Sequence, residues 1–147
     1  MASRLNPYLS FKDNARDAME FYKDVFGGEL NIMTFGDMGT PGPLADKVMH
    51  GQLETTAGYT IMGADTPDEM PFTPGNTVTV SLSGDDTDEL NGYWTALIDG
   101  GQVVMPLEKQ MWGDTFGMCT DKFGTAWMVN IAGDGNAPAA DAPADPA

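Results

Sequence analysis

An internal repeat constrains this chain more than any other feature. Gly27-Gly28 closes one amphipathic segment, and Gly100-Gly101 closes another 73 residues later. The same offset carries Leu9-Ser10 onto Leu82-Ser83, Asp13 onto Asp86, Phe21 onto Trp94 and Val25 onto Ile98. Further along the offset becomes 66, with Gly51 falling on Gly117, Gly58 on Gly124 and Met62 on Met128. The first copy therefore holds about seven extra residues. They belong in Gly36–Lys47, whose glycines and prolines read as a mobile loop.

Each copy predicts the order βαβββ. In the first, strands are expected at Asn6–Phe11, Glu29–Phe35, Val48–Glu54 and Tyr59–Gly63. Asp13-Asn14 offers a helix N-cap. Ala15, Ala18, Met19, Tyr22, Val25 and Phe26 then form one apolar helical stripe. Gly27-Gly28 ends it, because glycine enters the left-handed region without a Cβ penalty. In the second copy, strands are expected at Thr77–Ser83, Gln102–Leu107, Thr115–Thr120 and Ala126–Ile131. Asp86 or Thr87 caps a helix with the stripe Leu90, Tyr93, Trp94, Leu97 and Ile98. The expected organisation is one domain over residues 1–133. It comprises a module at about 4–64, a Pro- and Gly-rich linker at 65–76 and a second module at about 77–132. Residues 134–147 are Ala, Pro, Asp and Gly with one Asn and no apolar period, so an acidic disordered tail is expected there.

A small sheet carrying one helix leaves its other face uncovered. The fold expected is α+β: the two modules form a curved eight-stranded mixed sheet, a half-barrel with helices outside and a concave ligand pocket. Twenty-two acids against seven bases give a net charge of −15. That charge repels phosphate backbones and anionic lipid, so neither nucleic acid nor membrane is an expected partner. The single cysteine, Cys119, excludes an internal disulfide and fits a reducing, cytoplasmic setting, where a buried inert thiol is expected.

The order βαβββ-βαβββ resembles the vicinal oxygen chelate superfamily of glyoxalases, bleomycin-resistance proteins and extradiol dioxygenases. Ala15–Tyr22, Phe26-Gly27-Gly28, Val48–Gly51 and Gly100–Leu107 resemble its PhnB-like branch. So do Trp112–Met118, Asp121–Gly124 and Trp127. The likeness covers roughly residues 4–132. Some relatives carry a methyltransferase label, yet nothing here resembles a nucleotide-binding glycine loop on a parallel sheet. The resemblance implies a small-molecule ligand and a homodimer.

It also implies where a metal would sit, since metal-using members take one ligand from the first and last strands of each module. Those positions fall on or near Asn6, Met62, Thr79 and Met128. Amide, thioether and hydroxyl groups suit a hard or borderline divalent ion badly, so no metal site and no cofactor are expected. The one histidine, His50, is a tentative acid–base residue or simply a pocket residue. Glu54 shares its strand face but lies too far along for direct contact. The expected pocket comprises Asn6, His50, Met62, Thr79, Trp112, Phe116 and Met128, in a chain unusually rich in adaptable methionine. Three functions compete: binding of a small, partly apolar molecule, a metal-dependent lyase, isomerase or dioxygenase, and a metal-free enzyme using His50.

Overall fold

The structure, a computed structural model, describes residues 2–133. The expected tail at residues 134–147 lies outside the described residues. The chain divides between Gly75 and Asn76 into two compact units, and each repeats the same plan.

In the first unit β1 (Tyr8–Phe11) leads into α1 (Ala15–Phe26), followed by β2 (Glu29–Thr34), β3 (Val48–Glu54) and β4 (Thr60–Asp65). The sheet order is β1-β4-β3-β2, with β1 parallel to β4 and the other pairs antiparallel. The apolar stripe of α1 is buried, with Ala15, Ala18, Met19 and Tyr22 fully enclosed and Phe26 nearly so. It presses onto Leu53 and Ile61, and burying each large side chain contributes roughly 1.5–3 kcal/mol. Two cross-strand partners, Gly51 and Gly63, let Met19 lie close against the sheet.

The helix start corrects the expected cap. Asn14 makes no side-chain cap bond. Asp65, expected to open the linker, instead ends β4 and is buried. Its Oδ1 accepts from the Ala15 N–H at 2.9 Å and its Oδ2 from the Val48 N–H at 2.9 Å. The seven-residue insertion folds into two short 3-10 turns, Gly36–Met38 and Gly42–Leu44. Reciprocal Thr34–Asp37 bonds and the Gly36 N–H on the Ala45 carbonyl hold them.

In the second unit β5 (Val80–Gly84), α2 (Thr87–Ile98), β6 (Gln102–Lys109), β7 (Thr115–Thr120) and β8 (Ala126–Ile131) give the sheet order β5-β8-β7-β6. The eight expected strands are thus present as two four-stranded mixed sheets, one in each unit. Here the cap is local, as predicted: Asp86 Oδ1 accepts from the Glu89 N–H at 3.0 Å. The helix buries Leu90, Tyr93, Trp94 and Leu97. Asp121, 3% exposed, organises the β7–β8 turn by accepting from the Phe123 and Thr125 N–H groups and the Trp127 indole. Its repeat counterpart Thr55 does the same more simply, accepting from the Tyr59 N–H at 2.8 Å. Cys119 is buried on the helix side, and burial together with nearby Asp121 pushes its thiol up to about 11, as an inert thiol requires. No helix among the described residues is long and apolar enough to cross a membrane.

Candidate functional site

Successive side chains of a strand point to opposite faces. In β3, Gly51 and Leu53 take the face covered by α1, which leaves His50, Gln52 and Glu54 on the open face. Register fills in their neighbours. Tyr8 pairs with Met62, Met62 with Gln52 and Gln52 with Asn31, so these four side chains form one row across the sheet. His50 pairs with Met33 in one flanking row, and Glu54 pairs with Thr60 in the other.

A line of hydrogen bonds runs along this face. The Tyr8 hydroxyl meets His50 Nδ1 at 3.0 Å, and the two rings lie 5.6 Å apart. His50 Nε2 meets Gln52 Oε1 at 3.2 Å. Gln52 Nε2 donates to Glu54 Oε1 at 2.7 Å, and the Thr60 hydroxyl donates to Glu54 Oε2 at 2.7 Å. Arg4 donates to Thr60 and forms an ion pair with Glu54 at 3.6 Å. The sequence correctly kept His50 and Glu54 out of direct contact but missed that Gln52 bridges them. The i, i+2, i+4 spacing of His50, Gln52 and Glu54 was the available signal.

Electrostatics at the two ends differ. Burial raises the Tyr8 phenol, so it keeps its proton. The Thr60 hydroxyl foremost, then the Gln52 amide and Arg4, hold the Glu54 carboxyl below its ordinary 4.5. A lowered folded value means that Glu54 stabilises the fold above its ordinary pKa and loses that effect as pH falls through the folded value. Glu54→Gln is therefore expected to flatten the acid limb of stability below pH 4.5. Urea unfolding at stepped pH checks this, and an unchanged limb contradicts it.

The second unit places different chemistry at the same positions. Ser81, Phe116, Met118 and Met128 stand where the first unit has Tyr8, His50, Gln52 and Met62. Register runs Ser81 to Met128, Met128 to Met118 and Met118 to Met105, which lays three thioethers in a row on the open face. Trp112 is 55% exposed in the turn before β7, 6.2 Å from the Phe116 ring. Asp114 holds that turn through Asn130 and the Gly133 N–H.

Of the expected pocket residues, His50 and Met62 share the first open face, and Phe116 and Met128 share the second. Asn6 and Thr79 each lie two residues before the strand positions that pair with the methionines, namely Tyr8 and Ser81. Both precede their strands and are half-buried. Among the described residues, no group of three or more His, Cys, Asp or Glu side chains is placed to hold a metal. At the ligand positions that the resemblance implies, amide or phenol, hydroxyl and thioether groups are a poor donor set for a hard divalent ion. Two surface depressions lie on the helix sides, one along α1 and β2 around Arg16, Lys23 and Ile32, the other along α2. Neither includes a residue of the expected pocket.

Comparison with known proteins gives concordant results. The family model described as 3-demethylubiquinone-9 3-methyltransferase matches residues 3–130. Protein YjdN of Escherichia coli is 32% identical over 138 residues, covering 86% of this chain and 94% of its own. The crystal structure of PA1353 from Pseudomonas aeruginosa aligns with a TM-score of 0.81 at 36% identity, covering 90% of this chain and all of that one. A putative 3-demethylubiquinone-9 3-methyltransferase, the PhnB protein from Bacillus cereus, aligns at 0.68 and 25% identity over 88% of this chain and all of its own. A glyoxalase/bleomycin resistance protein/dioxygenase family enzyme from Burkholderia phytofirmans, 13% identical with a TM-score of 0.57 over 85% of this chain and 96% of that one, shares the fold alone.

Proposed function

The chain belongs to the 3-demethylubiquinone-9 3-methyltransferase family, the PhnB-like members of the glyoxalase/bleomycin-resistance/dioxygenase superfamily, and from that premise we propose that it binds a small, partly apolar molecule on the open face of its first sheet, without the superfamily's usual metal. The observation that carries this reading is the hydrogen-bonded line Tyr8–His50–Gln52–Glu54 set beside Met62 and Met33. Tyr8 is 49% exposed and Met33 41%, so polar and apolar contacts are offered side by side. A flexible thioether adapts to irregular ligand shapes, while the hydrogen-bonded residues fix orientation. The donor chemistry at the superfamily's ligand positions favours binding without a divalent ion.

A ligand that binds only the folded chain raises its apparent stability, by about 2.7 kcal/mol at a hundred times its Kd. Thermal melting against a library of small aromatic and alicyclic compounds is expected to give hits. Their shifts should fall away in Tyr8→Phe and His50→Leu. Hits whose shifts are unchanged in both variants place binding elsewhere and overturn the reading.

One observation favours a second reading, metal-free acid–base catalysis by His50: the imidazole is held at both nitrogens, by Tyr8 and by Gln52. A proton taken from a bound molecule would then reach His50 through the Tyr8 hydroxyl, which passes its own proton to Nδ1. A His50→Ala chain that binds normally but has lost turnover distinguishes this from binding alone.

A further inference from the structure

The Tyr8–His50–Gln52–Glu54 line has a direction, set at its Glu54 end. An ionised carboxylate only accepts hydrogen bonds, so Gln52 must turn its NH₂ toward Glu54 Oε1 at 2.7 Å. The carbonyl oxygen of the same amide then faces His50 Nε2 at 3.2 Å. A carbonyl oxygen cannot donate, so Nε2 carries the imidazole proton. In the neutral ring Nδ1 is left with a bare lone pair, and the Tyr8 hydroxyl 3.0 Å away must donate its only proton there. Glu54 is itself fixed by the Thr60 hydroxyl and by Arg4, so the anchor does not turn.

The outer end of the line is consequently an acceptor. We infer that the open face of the first sheet selects molecules presenting an O–H or N–H donor to the Tyr8 oxygen, and discriminates against carbonyl, ether, carboxylate or phosphate groups at that point. This inference rests on the binding reading above and specifies its ligand class. Nearby groups agree with it. Met62, between Tyr8 and Gln52 in the row, has only a weakly accepting sulfur. Glu54 accepts at the inner end, and the one cation on the line, Arg4, lies at that end, on Thr60 and Glu54 rather than at Tyr8. At the Tyr8 oxygen a molecule that could only accept would therefore meet no free proton, because the phenol's own is committed to His50 Nδ1. It would lose its water hydrogen bonds without replacement, which costs more than the bond itself returns.

The polarity can be read without any ligand. In protein labelled with ¹⁵N at histidine, the neutral form of His50 is expected as the Nε2–H tautomer with a bare Nδ1. Glu54→Gln, whose amide can face Gln52 either way, should weaken that preference. An Nδ1–H tautomer in the unmodified chain overturns the inference while leaving the binding reading intact. The ligand class is tested with 4-ethylphenol and 4-ethylanisole, uncharged probes that differ in the donor proton and a methyl group. NMR titration is expected to give about five- to tenfold tighter binding of the phenol, the worth of one hydrogen bond. The difference should vanish in the Tyr8→Phe/His50→Leu double variant, which removes both acceptors. Equal binding of the two probes, or a preference that survives in the double variant, overturns the inference. No resonance shift on this sheet with either probe counts against the binding reading instead.

Discussion

Gly28→Ala is expected to destabilise the first unit by roughly 3–5 kcal/mol, one of the two largest single-residue effects the fold predicts. Two penalties combine. The backbone at Gly28 lies at φ +105°, which side-chain-bearing residues rarely adopt. A Cβ there would also sit 2.0 Å from the Glu54 carbonyl oxygen and 2.7 Å from the Thr55 Cα. Both atoms are backbone, so no rotamer change relieves the clash. Glu29, the next residue, pairs with Glu54 at the start of the β2–β3 ladder, so that register must open. The second unit repeats the arrangement: a Cβ on Gly101 would lie 2.3 Å from the Thr120 carbonyl oxygen. Gly58→Ala is the control. Its φ is +95°, but nothing lies within 4 Å of its Cβ position, so only the conformational penalty of about 1–2 kcal/mol applies. Urea midpoints for the two variants separate sterics from backbone strain. A Gly28→Ala midpoint no lower than that of Gly58→Ala would show that the close approach of chain to chain is not what demands glycine.

The same close approach explains why the repeat was legible. The Gly-Gly pairs stand where the chain leaves a helix and passes against a neighbouring strand end, a constraint that both units inherit. The helical stripes were readable because each buries one face against one sheet, and β3, β7 and β8 have the bounds expected for them. The strand starts before Tyr8 and Val80 were overextended. Pro7 lacks an N–H and reaches the ladder only through its carbonyl, on the Met62 N–H at 3.1 Å. At the other extreme, β6 runs on through Pro106 to Lys109 because it is an edge strand, whose outward N–H positions need no partner.

The site was legible only in part. His50 and Met62 could be picked out singly, one as the lone histidine and the other through the repeat. Tyr8 could not, because its role depends on cross-strand register, which no local pattern encodes; Gln52 was missed although its i, i+2, i+4 spacing with His50 and Glu54 lay within one strand. The second unit shows how little the plan itself decides. With helices and sheet order repeated, Ser81, Phe116 and Met118 replace Tyr8, His50 and Gln52, and the polar line has no counterpart there. The duplicated scaffold fixes where open faces occur, while the residues on them fix what they can hold.

Asp65 is the residue whose importance the sequence concealed most, and its removal is the second large effect expected. Aspartate is depleted in strands and common in loops, so its place before the prolines read as the start of a linker. Instead it is 6% exposed at the end of β4, and its two oxygens each take a backbone N–H, from Ala15 at the start of α1 and from Val48 at the start of β3. One carboxylate therefore ties together a helix, the strand that leads into the site and the strand that carries Met62. The positive end of the helix dipole lies at the same point, which favours the negative charge. Asp65→Ala strands two N–H groups at a buried place, at about 1–3 kcal/mol each. The expected loss is about 2–5 kcal/mol, accompanied by displacement of His50 two residues after Val48. Asp65→Asn retains one acceptor of suitable shape but turns an NH₂ toward the other N–H, so about half the loss or more is expected. Asp86→Ala, removing an exposed local cap from α2, should cost only about 1 kcal/mol. Urea unfolding ranks the three, and the Tyr8–His50 pair can be followed in the same samples through the His50 ring resonances. A ranking in which Asp86→Ala equals or exceeds Asp65→Ala would mean that the first helix is capped by something other than the buried carboxylate.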